Sequence, residues 1–369
     1  MLLSELTASA ERVALVGLAK NTGKTVALAA LLRELATAGR TVGVTSVGRD
    51  GEEHDVIDFR IEKPAVELNN GSLVASTDSL LRASGVPLQT LARTGVRTPL
   101  GEVLIARLTG PGAVEVAGPS AASDVRDVAD AMLGFGAEQV LIDGAIDRRA
   151  ASSPDVADAL LMSTGAVLSE DIDEVVARTR DAVELVRLPT LARDTPAGAR
   201  AAELAHAGGD GASFLIDAHG ESRELPPRFV LSAGAEAVGA LLRDGPDARW
   251  LLVAGALPEA FVRDLALAVR RRARQMTIVV GDPTRVFLSD RGIGFYRRQG
   301  VSIESLRPVA LRALTVNPRA PQSHDFDSAA LRSRLAEAIE DLPIFDVMHP
   351  EYVGEQGQRP ARVGRSANA

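Results

Sequence analysis

The sequence predicts an α/β protein of two units, the first built on a parallel sheet, and three observations carry that expectation. Short aliphatic and β-branched runs alternate with segments of helical period. Between Thr195 and Pro227 the composition shifts to Gly, Ala and polar residues. The 369 residues suffice for two cores and a tail at roughly 150 residues per domain. The expected organisation is a first unit over 1–195, a linker over 196–211, a second α/β unit over 212–348 and a mobile tail over 349–369.

Taken in order, Arg12 to Val16 reads as a strand, followed by a glycine-bearing turn and a helix over Thr25 to Ala38 that Gly39 stops. Thr41 to Val47 is a second strand, and Arg49 to Glu62 a polar, acidic loop. Val66–Leu68, Ser72–Ser76, Leu88–Leu91, Glu102–Leu108 and Val114–Val116 are short strands by their β-branched and aliphatic content. Asp124 to Phe135 is helical, Gln139 to Ile142 a buried strand, Ala159 to Leu168 another with its flanks, and Asp171 to Val186 a helix. Beyond the expected linker come helices at 233–242, 259–274, 292–299 and 328–342, with strands at 250–253, 276–280 and 311–316.

Composition excludes several chemistries. Without cysteine there is no disulfide, thiolate nucleophile, iron–sulfur cluster or Cys-ligated zinc. A net charge of -8 opposes attraction to nucleic acid or anionic lipid, and 3% aromatics leave little to stack on single-stranded bases. The start, Met1 to Arg12, carries Glu5 and Glu11 and does not read as a signal peptide. No stretch has the apolar length of a membrane span. A cytoplasmic protein is expected. The five histidines are scattered without metal-ligand spacing.

Only three of the cations, Lys20, Lys24 and Lys63, are lysines, against 38 arginines. Where arginine is the default, a surviving lysine suggests a site wanting a compact ammonium. Two of the three lie in VALVGLAKNTGKT (13–25), where Gly17 and Gly23-Lys24-Thr25 follow a strand and open a helix. That is the arrangement of a P-loop. A helix start offers free N–H groups and the positive end of a dipole to phosphate oxygens, and glycines let the backbone curl close. The predicted nucleotide contacts are Gly17, Lys20, Asn21, Thr22, Gly23, Lys24 and Thr25, with Lys24 on the β- and γ-phosphates and Thr25 on Mg²⁺. Asp143, at the end of a buried strand, is the expected catalytic and Mg²⁺-linked carboxylate, with a turn cap as the plainer reading. A further metal carboxylate is expected from the loop after the second strand, where Asp50 competes with Glu52, Glu53 and Asp55. No Asn-Lys-x-Asp motif reads guanine, which favours ATP over GTP.

Five residues separate Gly17 from Gly23, one more than in the usual loop. The longer loop resembles that of dethiobiotin synthetase and the cobyrinic acid amide synthases. The likeness continues in VLIDGAIDR (140–148), with Asp143-Gly144-Ala145 in register, and in Asp158-Ala159-Leu160. Lys63-Pro64 resembles the ligases' substrate-holding Lys-Pro but lies farther from the second strand, and Ile146-Asp147 replaces the family's glycine pair. Arg148 and Arg149 suit a phosphate, a partner or a solvated loop edge equally. Asn317-Pro318 resembles a base-side Asn-Pro of the same group and by default reads as a turn.

GLAKNTGKT (17–25), TSVGRDGEEHDV (45–56) with the following Glu-Lys-Pro, LVAST (73–77) and IDGAIDRRAASSPDVADALLMSTGAVLS (142–169) more closely resemble the ATPase-like subunits of lysine 5,6-aminomutase reactivases. This implies use of ATP to restore a cobalamin-dependent aminomutase, with the aminomutase and a second reactivase subunit as protein partners. A partner-coupled Mg-ATPase is therefore the leading expectation. An ATP-dependent carboxylate ligase and a nucleotide-sensing protein without turnover are the alternatives. Arg270, Arg271, Arg272 and Arg274 end a helix, where cations offset the dipole.

Overall fold

Val13 to Val16 are fully or almost fully buried on both faces, as a central parallel strand requires. The computed structural model describes residues 2–48, 65–145, 152–207, 209, 211–289, 291–321 and 324–349. In chain order the first part contains α1 (Leu3–Leu6), β1 (Arg12–Gly17), α2 (Lys24–Thr37), β2 (Val42–Ser46), β3 (Val66–Leu68), β4 (Leu73–Thr77) and α3 (Asp78–Ala83). It continues through β5 (Leu88–Thr98), β6 (Gly101–Leu108), β7 (Gly112–Val114), α4 (Ala122–Gly134), β8 (Gln139–Ala145), β9 (Ala159–Gly165) and α5 (Ile172–Val186). Next are α6 (Pro196–Ala207), β10 (Ser213–Ile216), β11 (Ser222–Glu224), α7 (Phe229–Ser232), α8 (Ala235–Asp244), β12 (Trp250–Val253), β13 (Leu257–Pro258) and α9 (Glu259–Arg271). The last are β14 (Met276–Val280), β15 (Val286–Phe287), α10 (Ile293–Arg298), β16 (Val301–Ser305), β17 (Leu311–Asn317), α11 (Ser328–Ala338) and β18 (Ile344–Phe345).

The protein is α/β, with a large mixed sheet of nine strands in the order β18-β17-β9-β1-β8-β2-β4-β6-β5. All neighbours from β18 to β4 pair in parallel, whereas β6 is antiparallel to both β4 and β5. Period-two alternation splits the core. Ala14, Val16, Val140, Ile142, Leu160 and Met162 pack with α4, α5 and α11, while Val13, Leu15, Leu141 and Leu161 pack with α1 and α2. From β1 the chain builds one side of the sheet, then passes from β8 to β9 on the other. Ligands of open α/β sheets favour the carboxyl edge at such a reversal.

A second sheet, β11-β10-β12-β14-β16, is parallel from β12 to β16 and has its own aliphatic core against α8 and α9. Arg272 and Arg274 do more there than offset a dipole. Their guanidinium groups donate to the carbonyls of Gly239, Leu242 and Ala248 around the end of α8.

Three features differ from the expectation. β17, expected in the second unit, pairs with β9 from Leu311↔Leu160 to Asn317↔Gly165. With β18 it extends the first sheet. The second sheet is therefore an insertion between α5 and β17. Local alternation marks a strand but not its partner. The segment 196–211, expected as a linker, contains α6, whose Ala197, Ala201 and Leu204 pack on Phe214 and Leu252. Thr195 Oγ1 accepts from Gly198 N at 3.1 Å, a helix-start signature completed by Pro196. Gly198 is a packing residue, since a Cβ there would stand 1.9 Å from the Ala192 carbonyl. Finally, Ser213–Ile216, Ser222–Glu224 and Val301–Ser305 are strands of the second sheet that the local sequence pattern does not mark.

Candidate functional site

The carboxyl edge of the first sheet is polar where its strands run out. Ser46, Thr77, Ser163 and Thr315 are buried there. Ser46 Oγ accepts from Gly118 N at 3.0 Å and Ser163 Oγ lies 2.7 Å from Thr315 Oγ1. β1 ends between β8 and β9, with Leu15 beside Asp143 and Gly17 beside both Ala145 and Ser163. Leu18 N donates to the Ser163 carbonyl at 2.9 Å, tying the start of the β1–α2 loop to β9.

The loop then curls tightly. Thr22 is buried and its hydroxyl donates to the Ala19 carbonyl at 3.0 Å. A Cβ on Gly17 would stand 2.5 Å from that Thr22 oxygen, so only glycine fits. Gly23, at φ 87°, precedes the first residue of α2 in a left-handed conformation. A Cβ there would meet Asn317 Cβ at 3.0 Å. Lys20 and Asn21 are exposed, and Asn21 has φ 68°. α2 has neither a side-chain cap nor an acidic residue in its first turn, so its dipole end is of the kind that attracts an anionic acceptor.

Lys24 opens α2, and its Nζ lies 2.7 Å from Asp143 Oδ1. The contact is ionic: that oxygen is buried and has no aligned hydrogen-bond donor among the described residues. Register explains the meeting, because Asp143 shares the sheet face of Leu15 and Leu141, which is the α2 face. Thr25 stands in the same first turn, half-buried. Of the predicted residues, Gly17, Thr22, Gly23, Lys24, Thr25 and Asp143 converge, and Lys20 and Asn21 sit on the exposed crest. Thr22's hydroxyl is spent inside the loop, so its contribution to a ligand is through the backbone. Asp50, its competitors in 52–55, Lys63, Arg148 and Arg149 lie outside the described residues.

Asn317 has a part that its default reading as a turn understated. Its Nδ2 donates to the Asn21 carbonyl at 3.0 Å, and its Oδ1 accepts from Arg319 N at 3.1 Å. A Cβ on Gly165 would stand 2.3 Å from the Asn317 carbonyl. β17 therefore braces the loop from the side opposite Asp143. The sequence signal was the Asn-Pro pair at a strand end. What it did not supply was the position of that strand beside β9.

The Asp143 oxygen and Lys24 together fit a Mg²⁺–phosphate group, which would supply an oxygen acceptor for the ammonium and a cation for the carboxylate. Among the described residues no group of three or more acidic or histidine side chains could hold a metal by itself. Comparison with known protein families, curated proteins and solved structures finds no match to this chain.

Proposed function

We propose that the chain is a P-loop ATPase that binds Mg-ATP on the β1–α2 loop and couples its hydrolysis to a protein partner. The observation that supports it most is the Lys24–Asp143 contact of 2.7 Å at the uncapped start of α2, inside a loop that only glycine can form at Gly17. With Mg-ATP bound, the ammonium and carboxylate held together there would face phosphate and Mg²⁺ instead of each other. The loop amides and Lys24 would hold the phosphates, and Thr25 and Asp143 would hold Mg²⁺. The chemistry Mg²⁺ would supply is compensation of charge on the phosphoryl group. Asp143 in addition orients the attacking water.

Partner coupling follows from the resemblance to aminomutase reactivases and from an inserted second unit with its own core. Calorimetry of Mg-ATP against the full chain tests the binding step, and phosphate release with and without candidate protein partners tests the coupling. ATP affinity unchanged by Lys24→Ala would remove the reading. A rate that rises only with a small carboxylate would replace it with a ligase. No helix among the described residues is long and apolar enough to cross a membrane.

A further inference from the structure

Three helices of the inserted unit end at one edge of its sheet. α8, α9 and α10 pack their apolar sides with β12, β14 and β16 in a common core. Each leads into the amino end of a strand, α8 into β12, α9 into β14 and α10 into β16. Backbone bonds hold those ends together: Thr277 N donates to the Arg249 carbonyl and Met276 N to the Gly300 carbonyl, both at 2.9 Å. The last turn of each helix is basic, with Arg243 in α8, Arg270 and Arg271 in α9, and Arg297 and Arg298 in α10.

Helix dipoles do not use up this charge. The negative end of a helix is equivalent to roughly half a unit charge, and the carbonyls around the end of α8 already receive Arg272 and Arg274. Arg270, Arg271, Arg297 and Arg298 are exposed instead, and among the described residues none of them makes an ion pair or a side-chain hydrogen bond. Arg263, earlier on α9, has Asp264 beside it. The carboxylates near this edge lie elsewhere. Asp244 and Asp247 follow α8, and Asp217 and Glu221 sit in the β10–β11 turn next to the start of β12. Asp181 and Glu184 of α5 approach α10 at Gly292 and Gly294 and are beside Arg180. The edge is thus acidic at its β10 side and basic where α9 and α10 end.

Leu267 is 44% exposed and lies one helical turn before Arg270 and Arg271, on the same face of α9. A lone exposed leucine means little. Beside four unpaired guanidinium groups it completes the makeup of a protein interface, an apolar contact ringed by arginine. A nucleic acid fits less well, because a duplex carries a charge about every 1.7 Å and would run onto the acidic side of the same edge. Carboxylates of a protein segment can instead meet the planar forks one by one.

We propose that α9 from Leu267 to Arg271, together with Arg297 and Arg298 of α10, is a docking surface for a carboxylate-rich segment of a partner protein that seats an apolar side chain on Leu267. The inference rests on the proposed function only for the expectation that a protein partner exists. The surface itself is built from the second unit alone.

Fluorescence anisotropy of the full chain, without nucleotide, against a labelled helical peptide of glutamates with leucines on one face tests the surface. Arg270→Glu with Arg297→Glu should weaken binding by about tenfold or more. Arg33→Glu with Arg97→Glu, an equal change of charge at exposed arginines of the first unit, should leave it within about twofold. A peptide with glutamine in place of leucine should lose about threefold on the wild-type chain and nothing on Leu267→Ser, the coupling expected of direct contact. Should the first pair of changes cost the fold by circular dichroism, Arg271→Glu with Arg298→Glu decides. Absence of peptide binding by the wild type overturns the proposal, as does equal binding by the two charge-reversed pairs or tighter competition by duplex DNA for the same arginines. Calorimetry keeps the two readings apart: a chain that holds the peptide but not Mg-ATP loses the ATPase reading and keeps this surface, and the opposite result does the reverse.

Discussion

β1 and β12 each carry a buried aliphatic run into a glycine-bearing loop and then a helix, yet α2 opens on Lys24 and α9 on the buried carboxylate of Glu259. The layouts are close enough that VALVGLAKN (13–21) and WLLVAGALPE (250–259) look alike in sequence. What differs is who satisfies the helix start. Glu259 accepts from Ser289 N at 2.7 Å, Ser289 Oγ at 3.0 Å, Arg291 N at 3.0 Å and Tyr296 OH at 2.6 Å. Pairing of β13 with β15 brings these donors across. The positive end of α9 is thus met by the chain's own anion, and the carboxylate is a latch. The first turn of α2 has no acidic residue of its own, and among the described residues Asp143 meets the Lys24 ammonium rather than the helix start. In the proposed reading it is a phosphate that meets that positive end.

The largest effect that tests this contrast is at Lys24. Lys24→Ala should reduce Mg-ATP affinity by about a thousandfold, since in the proposed reading its ammonium contacts the phosphates. The ligand-free melting temperature should move by only a few degrees, roughly the effect of 1 kcal/mol in a chain of this size. Lys24→Arg should fail similarly, because the longer planar head would not take the place of a compact ammonium against the phosphates. Calorimetry and a thermal scan check both.

The converse holds at Glu259. Glu259→Ala should cost about 3 kcal/mol of stability by stranding buried donors, visible as an earlier urea transition of the second sheet. Mg-ATP affinity should be unchanged. If that variant lost affinity without losing stability, α9 would be a ligand site and the contrast would collapse.

Asp143→Asn comes next. The nucleotide should still bind, because the loop amides and Lys24 remain, but phosphate release should slow by about a hundredfold. Unchanged turnover would place the catalytic carboxylate in the acidic loop after β2, with Asp50 among its candidates.

Much of this was legible in the sequence because it is local. Strand and helix periods located β1, α2, β8 and α9, and Gly23-Lys24-Thr25 located the loop. The Lys24–Asp143 meeting is an alternation argument once β1 and β8 are neighbours. What escaped depends on pairing between distant segments. β17 reads the same whether it joins β9 or β16, so its return to the first sheet, and with it the brace from Asn317, had no local mark. α6 was hidden by an Ala-Gly composition that suits a linker and a close-packed helix equally, although Thr195-Pro196 marked its start. The Arg307 ion-pair cluster unites residues 155, 282 and 307, each an ordinary loop residue in isolation.

The smallest effect separates the brace from the charge. Asn317→Ala removes the hydrogen bond to the Asn21 carbonyl but touches neither Lys24 nor Asp143. One exposed, neutral hydrogen bond is worth about 1 kcal/mol, so Mg-ATP affinity should fall by roughly fivefold, with the rate at saturating ATP nearly unchanged. Asn21, at positive φ, tolerates the loss because Gly23 and the Leu18–Ser163 bond still fix both ends of the loop. Asn317→Asp is the sharper variant. It keeps the shape but replaces the donor with an anion facing a carbonyl, so affinity should fall further than in the alanine variant, and added salt should recover part of the difference. If alanine and aspartate behaved alike, β17 would be packing against the loop without orienting it.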